Sequence, residues 1–161
     1  MSKDPAQFNH LAYFVKPAST LLFLNCNNGE EIVDCQTAFS KKRGLTFFGL
    51  DSSPRVVDSA NNRKYTFPTE AHCADFMADQ INKQFDVVVC RNVLMYHDSQ
   101  TRKKIVERLA ELTKDVLMLG QTDPFDFPLT KTVKIKNEDF DVLDYENRIL
   151  RKQPKLVASY M

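Results

Sequence analysis

The stretch FDVVVCRNVLMY, residues 85–96, decides the fold of this 161-residue chain. Residues 87–90 form an unbroken apolar run, without the alternation of a strand that has one face in water. A β-branched run of this kind is typical of a strand buried on both faces, in the middle of a parallel sheet flanked by helices. Ligands of open α/β sheets bind beyond the carboxyl ends of such strands, so the polar pair Arg91-Asn92 predicts a site there.

Other apolar runs predict further strands on both sides of this stretch. Residues 20–25 and 45–50 are compact apolar segments, and residues 71–74 give a weaker third strand. Residues 116–119 predict a fifth short buried strand. Strands that alternate with helices predict a doubly wound α/β fold with right-handed crossovers.

Capping residues and apolar spacing predict the helices between these strands. Residues 30–43 carry apolar side chains at helical spacing, and Gly44 can end that helix. Ser53 can cap the next helix, with Pro54 at its first position. A third helix begins at residues 98–99, either of which can cap it.

The two ends of the chain differ from its alternating middle. Residues 1–19 carry two prolines and a short apolar patch, which leaves open a helical arm or a loosely docked segment. Residues 132–136 and 148–152 are rich in β-forming residues and predict an antiparallel pair that closes one edge of the sheet. We therefore expect one domain, residues 20–161, preceded by an N-terminal arm.

Composition narrows the class of protein. Apolar residues make up 43% of the chain and charged residues 27%, as in a soluble globular domain, and the net charge of +1 gives no field that attracts nucleic acid or a membrane surface. The four cysteines form no CxxC pair, which argues against a metal site and against a disulfide framework. The sequence shows no signal peptide and no apolar run that could span a bilayer. We expect a cytoplasmic protein without membrane insertion; the oligomeric state stays open.

The turn after the first predicted strand, NCNNGEE at residues 25–31, indicates the kind of ligand. A dinucleotide fingerprint needs several glycines, and Gly29 is the only one in this turn. Glu30 and Glu31 would repel a diphosphate but tolerate cationic groups. S-adenosylmethionine has an amino group, a sulfonium and no phosphate, so it suits this turn better than NAD or ATP. The alternative, that the acids complement the helix dipole, is favoured for Glu31 and stays open for Glu30.

Acidic residues also follow the second and third predicted strands. Asp51 ends the second strand, 22 residues after Gly29, where an acid commonly accepts hydrogen bonds from ribose hydroxyls. Its alternative role is to cap the next helix. After the third strand, Asp75 and Phe76 place a polar and an aromatic side chain where an adenine could bind.

Together with these turns, the segment CRNVLMYH at residues 90–97 resembles the pattern CRNVLIYF of the CheR-type chemotaxis-receptor methyltransferases. This family methylates protein glutamates with S-adenosylmethionine. The resemblance implies a Rossmann-like class I methyltransferase fold, closed by a C-terminal antiparallel hairpin. Weaker correspondences with family motifs fall on residues 25–31, Asp51, Asp75, Phe76, residues 119–123 and residues 149–152.

The resemblance also implies roles for individual residues. Tyr96 would lie near the transferred methyl, as a provisional catalytic residue; the alternative is a half-buried aromatic that begins the next connection. Methyl transfer to a carboxylate needs orientation and desolvation more than a general base. The residues implied to bind the cofactor are Asn25, Cys26, Gly29, Glu30, Asp51, Asp75, Phe76, Arg91 and Asn92.

Departures from the family leave the substrate open. Asn25 replaces the first glycine of the family's turn, and only about 20 residues separate Tyr65 from Phe85, too few for the family's receptor-docking insertion. At most residues 1–19 stand in place of its N-terminal helical domain. Three hypotheses follow: a methyltransferase of the protein-glutamate type, a non-catalytic binding or regulatory module in signalling, and a methyltransferase of a small acid. In either catalytic case the substrate bears a carboxylate.

Overall fold

The computed structural model describes residues 5–127 and 130–154. Their eight strands form one mixed sheet, and helices pack on both of its faces. The strands are β1 Thr20–Leu24, β2 Thr46–Asp51, β3 Thr69–Cys73, β4 Phe85–Cys90, β5 Thr113–Leu119, β6 Thr132–Ile135, β7 Glu138–Asp144 and β8 Ile149–Lys152. The helices are α1 Gln7–Ala12, α2 Glu30–Ala38, α3 Pro54–Asn61 and α4 Ser99–Leu112, and a short 3-10 helix covers Leu94–Tyr96. No helix in this part of the chain combines the length and the apolar character of a membrane span.

The strand order is β3-β2-β1-β4-β5-β8-β7-β6. The strands from β3 to β5 in this order pair in parallel, and each later strand is antiparallel to its neighbour. Strand β4 pairs with β1 on one side, where Val88 lies opposite Leu22, and with β5 on the other, where Val88 lies opposite Leu117, which places β4 in the middle of the sheet. The predicted doubly wound α/β fold, with antiparallel strands at its C-terminal side, is confirmed.

The central strand β4 is buried on both faces, as its unbroken apolar run predicts. Val88 and Cys90 belong to the core under α4, whereas Val87 and Val89 belong to the core under α1 and α2. All four are at most 1% exposed. Complete burial of one such aliphatic side chain contributes about 1.5–3 kcal/mol, so this strand is a main source of stability for both layers.

The predicted helix starts are also confirmed. The Ser53 hydroxyl accepts a hydrogen bond from the Val56 N–H at 3.4 Å, and Pro54 occupies the first position of α3. At α4 the cap is Asp98, whose carboxylate accepts from the Thr101 N–H at 2.8 Å. Helix α3 begins shortly after the carboxyl end of β2, and α4 begins shortly after the 3-10 helix that follows β4. The two caps therefore fix the loops that border the site.

Helix α1 is docked firmly on the sheet. Phe8 and Leu11 are completely buried, and Phe8 lies 5.9 Å from Phe23 of β1, measured between ring centroids. Of the two possibilities for the N-terminal segment, the helical arm is therefore found, with Gln7–Ala12 as its helix. Residues 1–4 lie outside the described residues.

Helix α2 is shorter than predicted, because it ends at Ala38 and not near residue 43. Phe39 leaves the helical conformation, with φ −102° and ψ 14°, and the Lys42 N–H then closes a turn on the Phe39 carbonyl. Gly44 does not end the helix. It lies with φ +73° in the turn before β2, against the backbone of Ala18.

The predicted direct pairing of residues 132–136 with residues 148–152 is wrong. Strand β7 lies between β6 and β8 and pairs with both. The sequence of β7, EDFDVLD, alternates acids with apolar residues, so Phe140 is completely buried while Asp139 and Asp141 point outward. The four acids made this strand resemble a polar loop.

Candidate functional site

A cavity of about 420 Å³ lies at the carboxyl ends of β1, β2 and β4. Five of the predicted site residues line it, together with four that were not predicted. The lining residues are Asn25, Asn27, Asp51, Ser52, Arg91, Asn92, Val93, Tyr96 and His97. The polar break at the end of β4 therefore borders a cavity at the edge where open α/β sheets bind ligands.

A larger cavity, of about 620 Å³, lies at the opposite edge of the sheet. Several of its charged side chains are already satisfied within the fold. Asp86 accepts hydrogen bonds from the N–H and hydroxyl of Thr20, and Arg151 pairs with Asp115 at 3.0 Å. This larger cavity lies at the amino ends of the parallel strands, whereas ligands of open α/β sheets bind at the carboxyl ends. We therefore take the smaller cavity as the candidate site.

Three asparagines give the cavity an unusual backbone. Asn25, Asn27 and Asn92 have φ of 53°, 50° and 61°, in the left-handed region that glycine usually occupies. Asparagine tolerates this region better than most residues, and such conformations cluster at ligand sites. Asn25 thus adopts a glycine-like conformation at the position where the resembling family has glycine, although its side chain now lines the cavity.

Asp51, the last residue of β2, is 9% exposed and faces the cavity. One carboxylate oxygen accepts from the Asn27 N–H and the other from the Ser53 N–H, each at 3.1 Å. A carboxylate oxygen can accept more than one hydrogen bond. Asp51 therefore holds the two turns in place and still has acceptor capacity for hydroxyl groups in the cavity.

Arg91 joins the site to the helical layer above it. Its Nε donates to Glu31 Oε1 at 2.6 Å, and its Nη1 donates to Gln7 Oε1 at 3.0 Å. The guanidinium carbon lies 4.2 Å from the centroid of the Phe8 ring. Glu31 is only 6% exposed, so this acid does more than complement the dipole of α2: it is the buried counter-ion of Arg91.

The backbone of Asn92 is held by Asp123. The sequence points to Asp123 only through residues 119–123, which correspond weakly to a family motif. Asp123 Oδ2 accepts from the Asn92 N–H at 2.8 Å and from the Gly120 N–H at 3.1 Å. Burial raises the pKa of the Asp123 carboxyl, and the hydrogen bonds from backbone amides oppose this shift. A Cβ atom at Gly120 would lie 2.6 Å from the same oxygen, so glycine is required there.

Tyr96 lies at the mouth of the cavity, in the 3-10 helix that follows β4. Its side chain is 76% exposed, and His97 lies next to it on the cavity wall. An incoming acceptor molecule could therefore contact the Tyr96 ring or hydroxyl without any rearrangement of the core.

The other five predicted residues do not line the cavity. Cys26 and Phe76 are buried in the two hydrophobic cores. Gly29 caps α2 with φ +86°, and Glu30 is exposed on the first turn of that helix. Asp75 is exposed and accepts from the N–H groups of its own turn. Their roles in cofactor binding stay predictions.

Comparison with known families supports the motif-based resemblance. Residues 69–140 match the family model of the CheR methyltransferase, SAM binding domain. The match includes β4 and its polar end, and it confirms the resemblance over this part of the chain. No curated protein sequence matches the chain at a significant level.

Solved structures of methyltransferases share the fold. The magnesium protoporphyrin IX methyltransferase ChlM from Synechocystis PCC 6803 with bound SAM aligns with 92% of this chain and 78% of its own, at TM-score 0.60 and 16% identity. The same enzyme with bound SAH covers 71% of this chain and 54% of its own, at TM-score 0.58 and 18% identity. The mitomycin 7-O-methyltransferase MmcR covers 71% and 35%, at TM-score 0.56 and 21% identity. In the last two alignments the chain spans about half or less of the matched protein, and identities this low establish the fold alone.

Proposed function

We propose that this chain is a S-adenosylmethionine-dependent methyltransferase whose acceptor bears a carboxylate, as in the protein-glutamate O-methyltransferases. The observation that carries the proposal is the cavity at the ends of β1, β2 and β4, where Asp51 meets the Arg91-Asn92 pair of the CheR-like motif. The family match over residues 69–140 supports the cofactor.

The polar groups of the cavity suit a ligand without phosphates. Arg91 is the only lysine or arginine among the described residues of its lining, and that charge is balanced by Glu31. A diphosphate would have no free cation to neutralise it, whereas ribose hydroxyls could donate to Asp51. The left-handed turns at Asn25 and Asn27 line the cavity, where their backbone and amide groups could bind the amino-acid part of the cofactor.

S-adenosylmethionine supplies a methyl group activated by its sulfonium. The acceptor carboxylate is already ionised near pH 7, so no residue has to remove a proton. The protein is left to orient the two reactants and to exclude water. In this proposal Asn92, whose N–H donates to Asp123, and Tyr96 at the mouth of the cavity orient the reactants.

Isothermal titration with S-adenosylhomocysteine tests the cofactor. The protein should bind it, and Asp51→Ala should weaken binding by the worth of a charged hydrogen bond, about 1.5–3 kcal/mol, or roughly ten- to a hundredfold. Asp58→Ala is the matched control, because Asp58 is an exposed acid on α3 outside the cavity lining. A folded protein that gives no heat would refute the proposal, and equal affinities of wild type and Asp51→Ala would refute the role of Asp51.

One observation favours the alternative of a non-catalytic binding module in signalling. The Arg91 guanidinium is held by Glu31 and Gln7 and covered by Phe8. This arginine of the motif therefore stabilises the fold, a role that requires no catalytic activity. Transfer of a labelled methyl group separates the hypotheses. Label in acidic peptides would support the protein-glutamate type, and label in small acids the small-acid type. Cofactor binding without transfer to either would support the binding module.

A further inference from the structure

The turn between β7 and β8, residues 145–148, lies at the same edge of the sheet as the candidate site. Cys90 at the end of β4 is paired with Leu119 of β5, and the Leu119 N–H donates to the Arg148 carbonyl at 3.1 Å. Since neighbouring strands are 4.7–4.9 Å apart, the backbone of Arg148 lies about 10 Å from that of Cys90. The turn therefore lies at the edge of the sheet where a methyl acceptor would enter, beside the carboxyl end of β5, although residues 145–148 do not line the cavity itself.

A buried asparagine holds this turn rigidly. Asn147 is 6% exposed, and its N–H and side-chain amide both donate to the Asp144 carboxylate, at 3.1 and 2.9 Å. Its carbonyl accepts from Gln7 Nε2 at 2.7 Å, and its Oδ1 accepts from Gln121 Nε2 at 2.8 Å. Three separate segments of the chain thus fix the turn.

The turn presents a cation and an aromatic ring. Arg148 has φ +51°, a conformation that is unfavourable for a residue with a Cβ atom and that often persists where a side chain serves a ligand. Its guanidinium carbon lies 5.8 Å from the centroid of the Tyr145 ring, and Tyr145 is 58% exposed. Within residues 5–127 and 130–154, the Arg148 side chain forms no ion pair and donates no hydrogen bond to a protein group.

The acids around Arg148 in the described part of the chain balance its charge only in part and leave its N–H groups without a hydrogen bond. Asp144 is engaged by Asn147, and the carboxylate of Asp123 attracts Arg148 electrostatically, although its Oδ2 is engaged by the amides of Asn92 and Gly120. Glu146 is exposed, where solvent and salt screen its effect on an incoming anion. A guanidinium with free N–H groups in a fork binds a carboxylate through two parallel hydrogen bonds.

We propose that Arg148 and Tyr145 bind a carboxylate of the methyl acceptor. This inference rests on the proposed methyltransferase function and adds the chemistry of the acceptor. The bound carboxylate is a recognition group and not the one that is methylated, because an oxygen held by a guanidinium is a weaker nucleophile. The acceptor therefore carries at least two acidic groups, as in a small dicarboxylic acid or in a peptide with neighbouring glutamates.

Titration of the ¹⁵N-labelled protein, saturated with S-adenosylhomocysteine, with glutarate and separately with a glutamate-rich peptide tests this site. We expect the Arg148 Nε–H signal and the amide signals of residues 145–148 to shift with one or both probes. Preference for the peptide indicates a protein acceptor, and preference for glutarate a small acid. Arg148→Gln should raise the half-saturating concentration about ten- to a hundredfold, and Arg148→Lys by less, because it keeps the charge but loses the fork.

Arg43→Ala is the matched control, because Arg43 is an exposed arginine next to the turn before β2, at the opposite edge of the sheet. It should leave the titration unchanged. Shifts that avoid residues 145–148 with both probes, or equal half-saturation in wild type and Arg148→Gln, would overturn the inference. Binding of S-adenosylhomocysteine is measured separately in each variant. Its absence in the wild type refutes the proposed function, whereas its presence without carboxylate binding refutes only the role of Arg148.

Discussion

Replacement of Gly29 by alanine should destabilise the protein through two separable effects. Gly29 has φ +86°, and a left-handed backbone costs an L-residue roughly 1–2 kcal/mol. The new Cβ atom would also overlap the hydroxyl oxygen of Tyr65, which donates to the Ala60 carbonyl at 2.6 Å. If the ring moves aside, that hydrogen bond is lost at a cost of about 0.5–1.5 kcal/mol. The free energy of unfolding should therefore fall by about 1.5–3.5 kcal/mol.

Urea unfolding of a double-mutant cycle with Tyr65→Phe measures the two parts. Tyr65→Phe already lacks the overlapping hydroxyl, so Gly29→Ala in that background should cost only the backbone contribution, about 1–2 kcal/mol. Gly44→Ala is the matched control: Gly44 has φ +73°, but the nearest atom to its added Cβ is 3.3 Å away. The reasoning would be refuted if Gly29→Ala cost no more than Gly44→Ala, or if Tyr65→Phe left its cost unchanged.

Three further predictions concern the residues around the site. Glu31→Gln should lower the free energy of unfolding in urea by about 3–5 kcal/mol, because it leaves the buried Arg91 charge uncompensated. The double variant Glu31→Leu, Arg91→Met should recover most of this stability, and a double variant no more stable than Glu31→Gln would contradict the reasoning. Asn25→Gly should keep the wild-type melting temperature or raise it, because φ 53° suits glycine, whereas Asn25→Val should lower it; equal melting of the two variants would exclude a backbone effect. The hydrogen bond from Arg102 lowers the pKa of Asp126. The wild type should therefore be more stable than Arg102→Met near neutral pH and lose this advantage as the pH falls through the lowered pKa. An advantage that persists in acid would disprove the contribution of the ion pair.

The central part of the fold could be predicted because its signals are local. The apolar run of β4 has one explanation, burial on both faces, and the Ser53-Pro54 and Asp98 starts follow from capping chemistry. Parallel topology then brings the ends of β1, β2 and β4 to one edge, which is why Asn25, Asp51 and Asn92 lie together.

The misses come from signals that are not local. The acids of strand β7 obscure its alternation with Phe140 and Val142, so its sequence resembles a polar loop. The roles of Glu31 and Asp123 depend on partners 60 and 31 residues away, Arg91 and Asn92 respectively. The motif positions of Cys26 and Phe76 do not predict their burial in the two cores, because the side of a turn that a side chain faces depends on packing; their roles in cofactor binding stay predictions.

The hydrogen bonds of Gln7 set an order for folding. Its side-chain amide donates to the carbonyls of Leu119 and Asn147, which are 112 and 140 residues away in the sequence. Contacts with such separations form late, because a long loop must close before they contribute stability. During synthesis Gln7 emerges well before Leu119 and Asn147, so helix α1 gains these two hydrogen bonds only after β5 and the 145–148 turn exist. Until then α1 is held less firmly, and an incompletely docked helix that carries Phe8 and Leu11 exposes apolar surface of the kind that favours aggregation.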